Sequence, residues 1–269
     1  MLTAVTGINW GDEGKGRVID LLAENADIVA RYQGGNNAGH TVVTEKGKFI
    51  LNLLPSGILH PDVVCVLGAG MVIDLDHLAG EMDAIEERGV KVGSENLKLS
   101  DKATISMPWH KVQDGLEEDR LAQKGAAFGS TRRGIAYAYS DKYRKKTLRL
   151  GDLLHLNEER TQNRLHMILD SKNMELAGCY HQEKMSYDAL LSCAEHRRSS
   201  LHRTSAMWGP FCRKLTTAAS ASCWKLSWVP CGTSTTASSP SRPAPTRWPP
   251  MRRWGPASRI AGSTMWSVC

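Results

Sequence analysis

A carboxylate and a lysine lie three residues apart in a glycine-rich turn near the start of the chain. The segment Gly11-Asp12-Glu13-Gly14-Lys15-Gly16-Arg17 follows an apolar run at 2–8 and precedes an apolar helical pattern at 18–23. A buried strand, a glycine-rich turn and a helix N-terminus together form an anion site, because exposed N–H groups and the helix dipole attract phosphate. Since Gly16 rather than Ser or Thr follows Lys15, this is no Walker loop, and an ordinary tight turn remains an alternative.

Asp12 favours a reactive site over a simple turn. A carboxylate beside phosphate oxygens is repulsive unless it binds a metal ion or takes a proton during the reaction. The alternative is that Asp12 caps the N-terminus of the following helix, a position that Asp also favours.

A second loop places a histidine among small and polar residues. An apolar strand pattern at 27–32 leads into Gly-Gly-Asn-Asn-Ala-Gly-His-Thr at residues 34–41. Glycines and a small residue allow the backbone to approach a ligand closely. A lone histidine is more often structural, but the polar, glycine-lined turn around His40 favours catalysis.

The two loops together resemble the paired signature of adenylosuccinate synthetases. Residues 10–16 and 34–41 carry it, and further blocks resemble the same family in the same order. These blocks are residues 53–59, 68–74, 100–104, 107–111, 129–135 and 150–153.

This resemblance implies an α/β fold like that of P-loop GTPases. A mostly parallel central sheet with flanking helices is expected, and the C-terminal part is expected to be missing or disordered. The implied activity is purine biosynthesis: GTP, with Mg²⁺, phosphorylates the 6-oxygen of IMP, and L-aspartate then displaces the phosphate to give adenylosuccinate. The resemblance also implies a homodimer.

The resemblance further implies roles for individual residues. Asp12 would be the general base for the N1 proton of IMP and a Mg²⁺ ligand, and Gly39 would bind Mg²⁺ through its carbonyl. His40 would be the general acid at the 6-oxygen, and Lys15 would stabilise the transferring phosphoryl group. The implied GTP-binding residues are Gly11, Asp12, Glu13, Gly14, Lys15, Gly16, Arg17, Gly39, His40 and Thr41. The implied IMP-binding residues are Asp12, Glu13, Gly14, Lys15, Asn37, Ala38, Gly39, His40, Thr131 and Lys145.

Lys145 departs from the family's pattern. Thr131 matches the family's threonine at the IMP phosphate, and fourteen residues later the family has an arginine that reaches the partner subunit's IMP. Lysine keeps the charge of that arginine but loses its bidentate geometry.

The charge of the chain is divided into two unlike parts. Residues 193–269 contain one acidic and eleven basic residues, which leaves 27 acidic and 23 basic residues in 1–192. The same tail holds six of the eight Trp, eight of the eleven Pro and five of the seven Cys. We therefore predict a synthetase-like domain at 1–192 and a basic Ser/Pro/Trp-rich tail at 193–269 that is disordered.

The genetic code suggests an origin for this tail. Trp has the single codon TGG, so a frame that begins on the third base of each codon turns Trp224-Lys225 into Glu and Trp228-Val229 into Gly. The junctions between permit Glu-Ala-Gln-Leu-Gly, which resembles the family's own sequence, and Met207-Trp208-Gly209 gives Val-Gly in the same frame. We predict that the tail is translated out of frame, with the slip near residues 195–200.

Two other classes of function remain open. The chain is either a working ligase or an inactive, truncated nucleotide-binding fragment; a basic nucleic-acid-binding arm fits the tail less well.

Seven Cys without metal-ligand spacing favour reduced thiols and a cytoplasmic location. No stretch is long enough to span a bilayer, so no membrane association is expected.

Overall fold

A parallel sheet forms the centre of the computed structural model, which describes residues 2–7, 14–45, 47–202 and 264–267. The strand order is β1 (Leu2–Val5), β8 (Thr264–Ser267), β2 (Ile28–Gly34), β5 (Val64–Ile73) and β6 (Leu97–Leu99). A short strand, β7 (Thr104–Ile105), pairs with the C-terminal end of β5. All pairings in this sheet are parallel, as the predicted α/β fold requires.

The apolar composition of the central strands explains their place in the sheet. In β5, Cys65, Leu67, Met71 and Ile73 are fully buried. Parallel strands are covered on both faces and therefore consist of nearly continuous apolar runs. The main hydrophobic core lies on these strands, and the carboxyl ends of the strands carry the polar loops.

Helices connect and flank the strands within the described part of the chain. Pro108 begins the third helix, at a position where proline's fixed φ is favourable and its missing N–H is not needed. The helices are α1 (Lys15–Ala23), α2 (Leu75–Glu86), α3 (Pro108–Ala122), α4 (Ile135–Tyr143), α5 (Glu159–Tyr180) and α6 (Tyr187–His202), with 3₁₀ helices at Ser56–Leu59 and Leu150–His155. The strands β3 (His40–Thr44) and β4 (Gly47–Leu51) form an antiparallel hairpin that is separate from the central sheet.

A buried ionic network joins α3, α4 and α5. The Lys172 ammonium donates to Asp141 Oδ2 at 2.7 Å, Glu175 Oε2 at 2.8 Å and Gln113 Oε1 at 3.0 Å. His110 accepts the Met107 N–H through Nδ1, so its Nε2 carries the proton and donates to Asp141 at 3.0 Å. Each buried charge therefore has a partner, and the network fixes the position of α4.

The last helix that the structure describes runs past the predicted domain boundary. Helix α6 continues from Tyr187 to His202, and Arg197 within it is buried. Farther along, Thr264–Ser267 form β8 in the sheet, and residues 203–263 lie outside the described part of the chain. The boundary at 192 and the origin of the tail remain predictions.

Among the helices that the structure describes, none combines the length and apolar character needed to cross a membrane.

Candidate functional site

The two glycine-rich loops meet at Gly16 and His40. A Cβ added to Gly16 would lie 2.8 Å from Cβ and Cγ of His40 and 2.9 Å from its Cδ2. The α1 backbone therefore touches the imidazole, and only glycine leaves room for it. Gly14, with φ of 72°, turns the chain into α1, and Lys15 is the first residue of that helix. The contact places Lys15 and His40, two residues predicted to act together, at adjoining ends of α1 and β3.

His40 is held as a neutral imidazole. Its Nε2 is buried and has no hydrogen-bond partner among the described residues. Burial, followed by the positive charge of Arg31, lowers the pKa of His40 to about 4. A neutral imidazole has one N–H donor and one acceptor nitrogen, so His40 is able to donate a hydrogen bond to a ligand oxygen.

The Arg31 side chain connects its own strand to the histidine loop and to the segment that contains Asn52. Its guanidinium is buried and donates to the carbonyls of Asn52, Leu53 at 3.2 Å and Gly35 at 2.8 Å. The Arg31 guanidinium is therefore hydrogen-bonded to backbone carbonyls and not to a carboxylate. The arrangement fixes the start of the 34–39 loop and leaves the charge of Arg31 acting on His40.

Asn52 supports the loop from the other side. Its Nδ2 donates to Ala38 O at 3.2 Å, and a Cβ on Gly39 would lie 2.6 Å from that nitrogen. Its Oδ1 lies 3.1 Å from His77 Nε2 on α2. Asn52 therefore holds the Ala38–Gly39 peptide in one orientation immediately before His40.

The Glu81 carboxylate anchors the segment that contains Asn52. It accepts the N–H groups of Asn52, Leu53 and Leu54 at 2.8, 2.9 and 3.2 Å. Burial outweighs these bonds and leaves the pKa of Glu81 above its usual value. Through the Glu81 side chain, helix α2 thus fixes the backbone of residues 52–54.

A buried carboxylate, Asp74, lies at the end of β5 beside the same loop. It accepts from Lys111 at 2.6 Å, from Arg197 at 2.8 Å and from Asn36 Nδ2 at 3.4 Å. Burial raises the pKa of Asp74, but the hydrogen bonds and charges of Lys111 and Arg197 outweigh it and lower that pKa overall. The cluster links α3, α6 and the 34–39 loop, while Asn36 Oδ1 stays buried without a partner in the described structure.

The block that contains Thr131 reaches the loop through Arg133. Its Nη1 donates to Asn36 O at 2.5 Å, and a Cβ on Gly35 would lie 2.6 Å from Ile135 Cδ1. Thr131, two residues before Arg133 in the chain, is exposed. The role of Thr131 at the IMP phosphate stays a prediction.

The remaining predicted site residues are distributed as follows. Gly11, Asp12 and Glu13 lie outside the described residues. Ala38, Gly39 and Thr41 are exposed in or beside the histidine loop, and Arg17 is exposed on α1. Lys145 lies elsewhere, in a basic pocket after α4.

No protein-only metal cluster accompanies this site. The described part of the chain contains no group of three or more His, Cys, Asp or Glu side chains that could hold a metal ion. Mg²⁺ is commonly held by one or two carboxylates together with substrate phosphates, so such a cluster is not required. Asp12, which lies outside the described residues, and the carbonyl of Gly39, an exposed residue, offer oxygen donors of the type that Mg²⁺ prefers.

Sequence reasoning missed the residues that support the loops. The sequence gives one indication of their role: single polar residues stand between apolar neighbours at Arg31, Asn52 and Asp74. A charged or amide residue in a buried strand is rare unless it is paired. Their partners lie as far as 123 residues away, so the pairing itself was not visible.

A parallel sheet flanked by helices, with two glycine-rich segments that meet at a neutral histidine, defines the chain as an α/β protein. The chain belongs to the adenylosuccinate synthetase family, whose model matches residues 4–217.

Individual relatives agree with this assignment. The adenylosuccinate synthetase of Dehalococcoides mccartyi is 43% identical over 189 residues, which are 70% of this chain and 43% of the relative. That of Myxococcus xanthus is 49% identical over 158 residues, 59% of this chain and 36% of the relative. The fully ligated adenylosuccinate synthetase structure from Plasmodium falciparum is 33% identical with a TM-score of 0.64, covering 82% of this chain and 49% of that one. The chain spans less than half of the length of these relatives.

Proposed function

We propose that the chain carries the IMP and GTP-phosphate loops of a ligase that joins L-aspartate to IMP. GTP would be the phosphoryl donor, and the products would be adenylosuccinate, GDP and phosphate, formed through 6-phosphoryl-IMP. The contact between Gly16 and the His40 ring carries this proposal, because it joins the two loops that the reaction needs. Family membership supports the same reaction.

Residue types on the two loops suit phosphoryl transfer. In the proposed mechanism Asp12 takes the N1 proton of IMP, so that negative charge develops on the 6-oxygen. The neutral His40 ring donates a hydrogen bond to that oxygen, a role supported by its lowered pKa and its unpartnered Nε2. Lys15 and the N–H groups at the start of α1 stabilise the transferring phosphoryl group.

Mg²⁺ is part of this proposal through Asp12 and the carbonyl of Gly39. When bound, the ion would neutralise charge on the phosphate oxygens. The hydrogen bond from Asn52 to Ala38 O would keep the Gly39 peptide in place for this role. Glu13, Gly14, Asn37 and Thr131 are proposed IMP contacts.

The dimer is proposed on the same basis. The Lys145 side chain would take the place of the family's arginine at the partner subunit's IMP. A cytoplasmic location is likewise a proposal.

The second candidate is nucleotide binding without turnover. The chain covers 43% of the Dehalococcoides relative, so the activity of the whole relative is itself a proposal for this chain.

One experiment separates the two candidates. The purified 269-residue chain is incubated with GTP, IMP, aspartate and Mg²⁺, and GDP and adenylosuccinate are measured together with IMP binding by calorimetry. Turnover that is lost in His40→Asn supports the ligase, whereas IMP binding without products supports the second candidate. Neither turnover nor binding, in a chain with a cooperative unfolding transition, would refute both. Asn163→Ala, an exposed change on α5, serves as the control.

A further inference from the structure

A tyrosine of α4 reaches the point where the histidine loop begins. The Tyr139 hydroxyl accepts the Gly34 N–H at 2.7 Å and donates to Gly70 O at 2.9 Å. Gly34 is the last residue of β2, and Gly70 lies in β5, so one hydroxyl bridges two central strands. The ring packs against a small apolar cluster around Val72. The phenol therefore combines an apolar body that packs on β5 with a polar tip at the loop.

This bridge lies where the strand pairing is irregular. The register between β2 and β5 shifts between Arg31 and Gln33. Irregular pairing bends the end of a strand and re-aims the residues that follow, as a β-bulge does. A backbone N–H without a partner at such a place is costly, and the Tyr139 hydroxyl is the partner of Gly34.

Gly34 is the residue at which the chain turns out of the sheet. Its φ is 97°, in the left-handed region that glycine adopts most readily. The next residue is held as well, because the Arg31 guanidinium donates to Gly35 O at 2.8 Å and a Cβ at that position would meet α4. The Tyr139 hydrogen bond thus acts on the N–H of the turning residue, where a small rotation would displace the chain as far as His40.

Helix α4 is a fixed support for this hydroxyl. Asp141, two residues after Tyr139, is buried and accepts hydrogen bonds from His110 at 3.0 Å and Lys172 at 2.7 Å. The buried ionic network therefore holds α4 to α3 and α5, while the tyrosine extends from α4 to the sheet. A hydrogen-bonding group on a rigid element keeps its partner within the narrow range of positions that a reacting site requires.

We propose that Tyr139 is a positioning residue, whose hydroxyl sets the direction in which the histidine loop leaves β2 and so the place of the His40 ring against Gly16. Its hydrogen bonds go to the backbone of Gly34 and Gly70, neither of which is a predicted IMP or GTP contact. The effect on the ring does not depend on a ligand. The effect on IMP binding rests on the proposed function, in which His40 donates to the 6-oxygen of IMP.

The test compares Tyr139→Phe with the unaltered chain. The substitution keeps the ring and removes the hydroxyl, so the Gly34 N–H and Gly70 O lose their bridge. We expect the Gly34 amide to exchange with solvent about tenfold faster, because its hydrogen bond is lost. The NMR midpoint of His40, near pH 4 in the unaltered chain, should rise by about one pH unit, since a displaced ring is less buried. IMP affinity, measured by calorimetry, should fall about tenfold.

Two controls on the same helix separate positioning from a general loss of stability. Tyr143→Phe removes the hydroxyl of an exposed tyrosine one turn later. Ser140→Gly weakens α4 at an exposed position, because glycine is a poor helix former, and urea unfolding measures the loss. Both variants should keep the His40 midpoint and the IMP affinity of the unaltered chain. A merely structural role of Tyr139 predicts instead that Ser140→Gly shifts them as Tyr139→Phe does.

The His40 midpoint decides the outcome. An unchanged midpoint in Tyr139→Phe overturns the proposal, and so does an equal shift in Ser140→Gly. If Tyr139→Phe does not fold, the unaltered chain is used: protection of the Gly34 amide comparable to that of Ala30 in β2 supports the bridge, and rapid exchange overturns it. Absence of IMP binding in the unaltered chain refutes the IMP site of the proposed function, while the midpoint and the amide still decide the role of Tyr139.

Discussion

His40 illustrates how a residue's chemistry depends on its surroundings. The ring packs against Gly16, its Nε2 is buried, and the Arg31 cation lies behind it. Each feature disfavours the protonated form, so the side chain works as a neutral hydrogen-bonding group.

The first prediction concerns the titration of His40. Because its pKa in the folded chain is about 4, below the ordinary 6.5, the unfolded chain binds the proton more readily. The stability that depends on a neutral His40 is therefore present above pH 6.5 and is lost as the pH falls towards 4. An NMR titration of the ring Cε1 proton, assigned with His40→Asn, should show a midpoint near pH 4. A midpoint near 6.5 would contradict this account.

The second prediction compares two helical glycines. Gly80→Ala on α2 meets nothing within 4 Å and should stabilise the chain by roughly 0.5–1 kcal/mol, because alanine is the better helix former. Gly16→Ala must displace the His40 ring, so it should give no such gain and should weaken IMP binding. Thermal unfolding and calorimetry measure both effects. Equal stabilisation by the two changes would mean that the Gly16–His40 contact is absent.

At the scale of elements, the histidine loop is held by side chains from the strands and helices around it. Arg31, Asn52 and Asp74 each connect it to a different element. The loop thus has little freedom of its own, which suits a site that must keep a hydrogen-bond donor in place.

The third prediction concerns Asn52. Asn52→Ala removes the hydrogen bond to Ala38 O and should cost about 1 kcal/mol of stability. Because the Gly39 peptide becomes free to turn, GTP binding should weaken more in the presence of Mg²⁺ than in its absence. Binding curves with and without Mg²⁺ test this, with Asn163→Ala as the control. A uniform loss under both conditions would show that Asn52 has only a structural role.

The fourth prediction concerns the buried pair of α6. Arg197→Ala leaves Asp74 with Lys111 as its only remaining cation in the described structure and should cost about 3 kcal/mol. Urea unfolding measures the loss, and Arg160→Ala, an exposed change on α5, should be nearly neutral. If the two changes cost the same, α6 is not packed on Asp74.

The sequence predicted some of these features and not others, for physical reasons. Glycine-rich turns between apolar strands identify the loops, because local backbone freedom is visible in the residue types. The supporting contacts join residues distant in the chain, such as Asp74 and Arg197, and no local pattern predicts such a pair. Lys145 was expected at the partner subunit's IMP, and this stays a prediction; within its own subunit it lines a basic pocket.

At the scale of the whole molecule, the acidic first part and the basic tail differ in charge, and we predict that they differ in origin as well. The family match extends to residue 217, past the predicted slip near residues 195–200. In β8, the shifted frame reads Met265-Trp266 as Val and permits a second Val at Trp266-Ser267. Valine is typical of a buried parallel strand.

The fifth prediction concerns the nucleotide sequence of the gene. Its nucleotide sequence, read one frame over from near codon 197, should encode an uninterrupted synthetase-like segment. Expression of that reading frame should give a more stable product than the 269-residue chain, measured by thermal unfolding. Stop codons soon after the shift would refute the hypothesis.

The place of β8 has a consequence for how the chain folds during synthesis. Leu2 pairs with Thr264, so β1 receives its sheet neighbour from about 260 residues farther along the chain. Contacts of such sequence separation form slowly, and β1 leaves the ribosome long before β8 exists. Until then β2 exposes the edge that β8 will cover, and unpaired strand edges of this kind associate with other chains. The time between synthesis of β2 and of β8 is thus the interval in which a chaperone would be needed most.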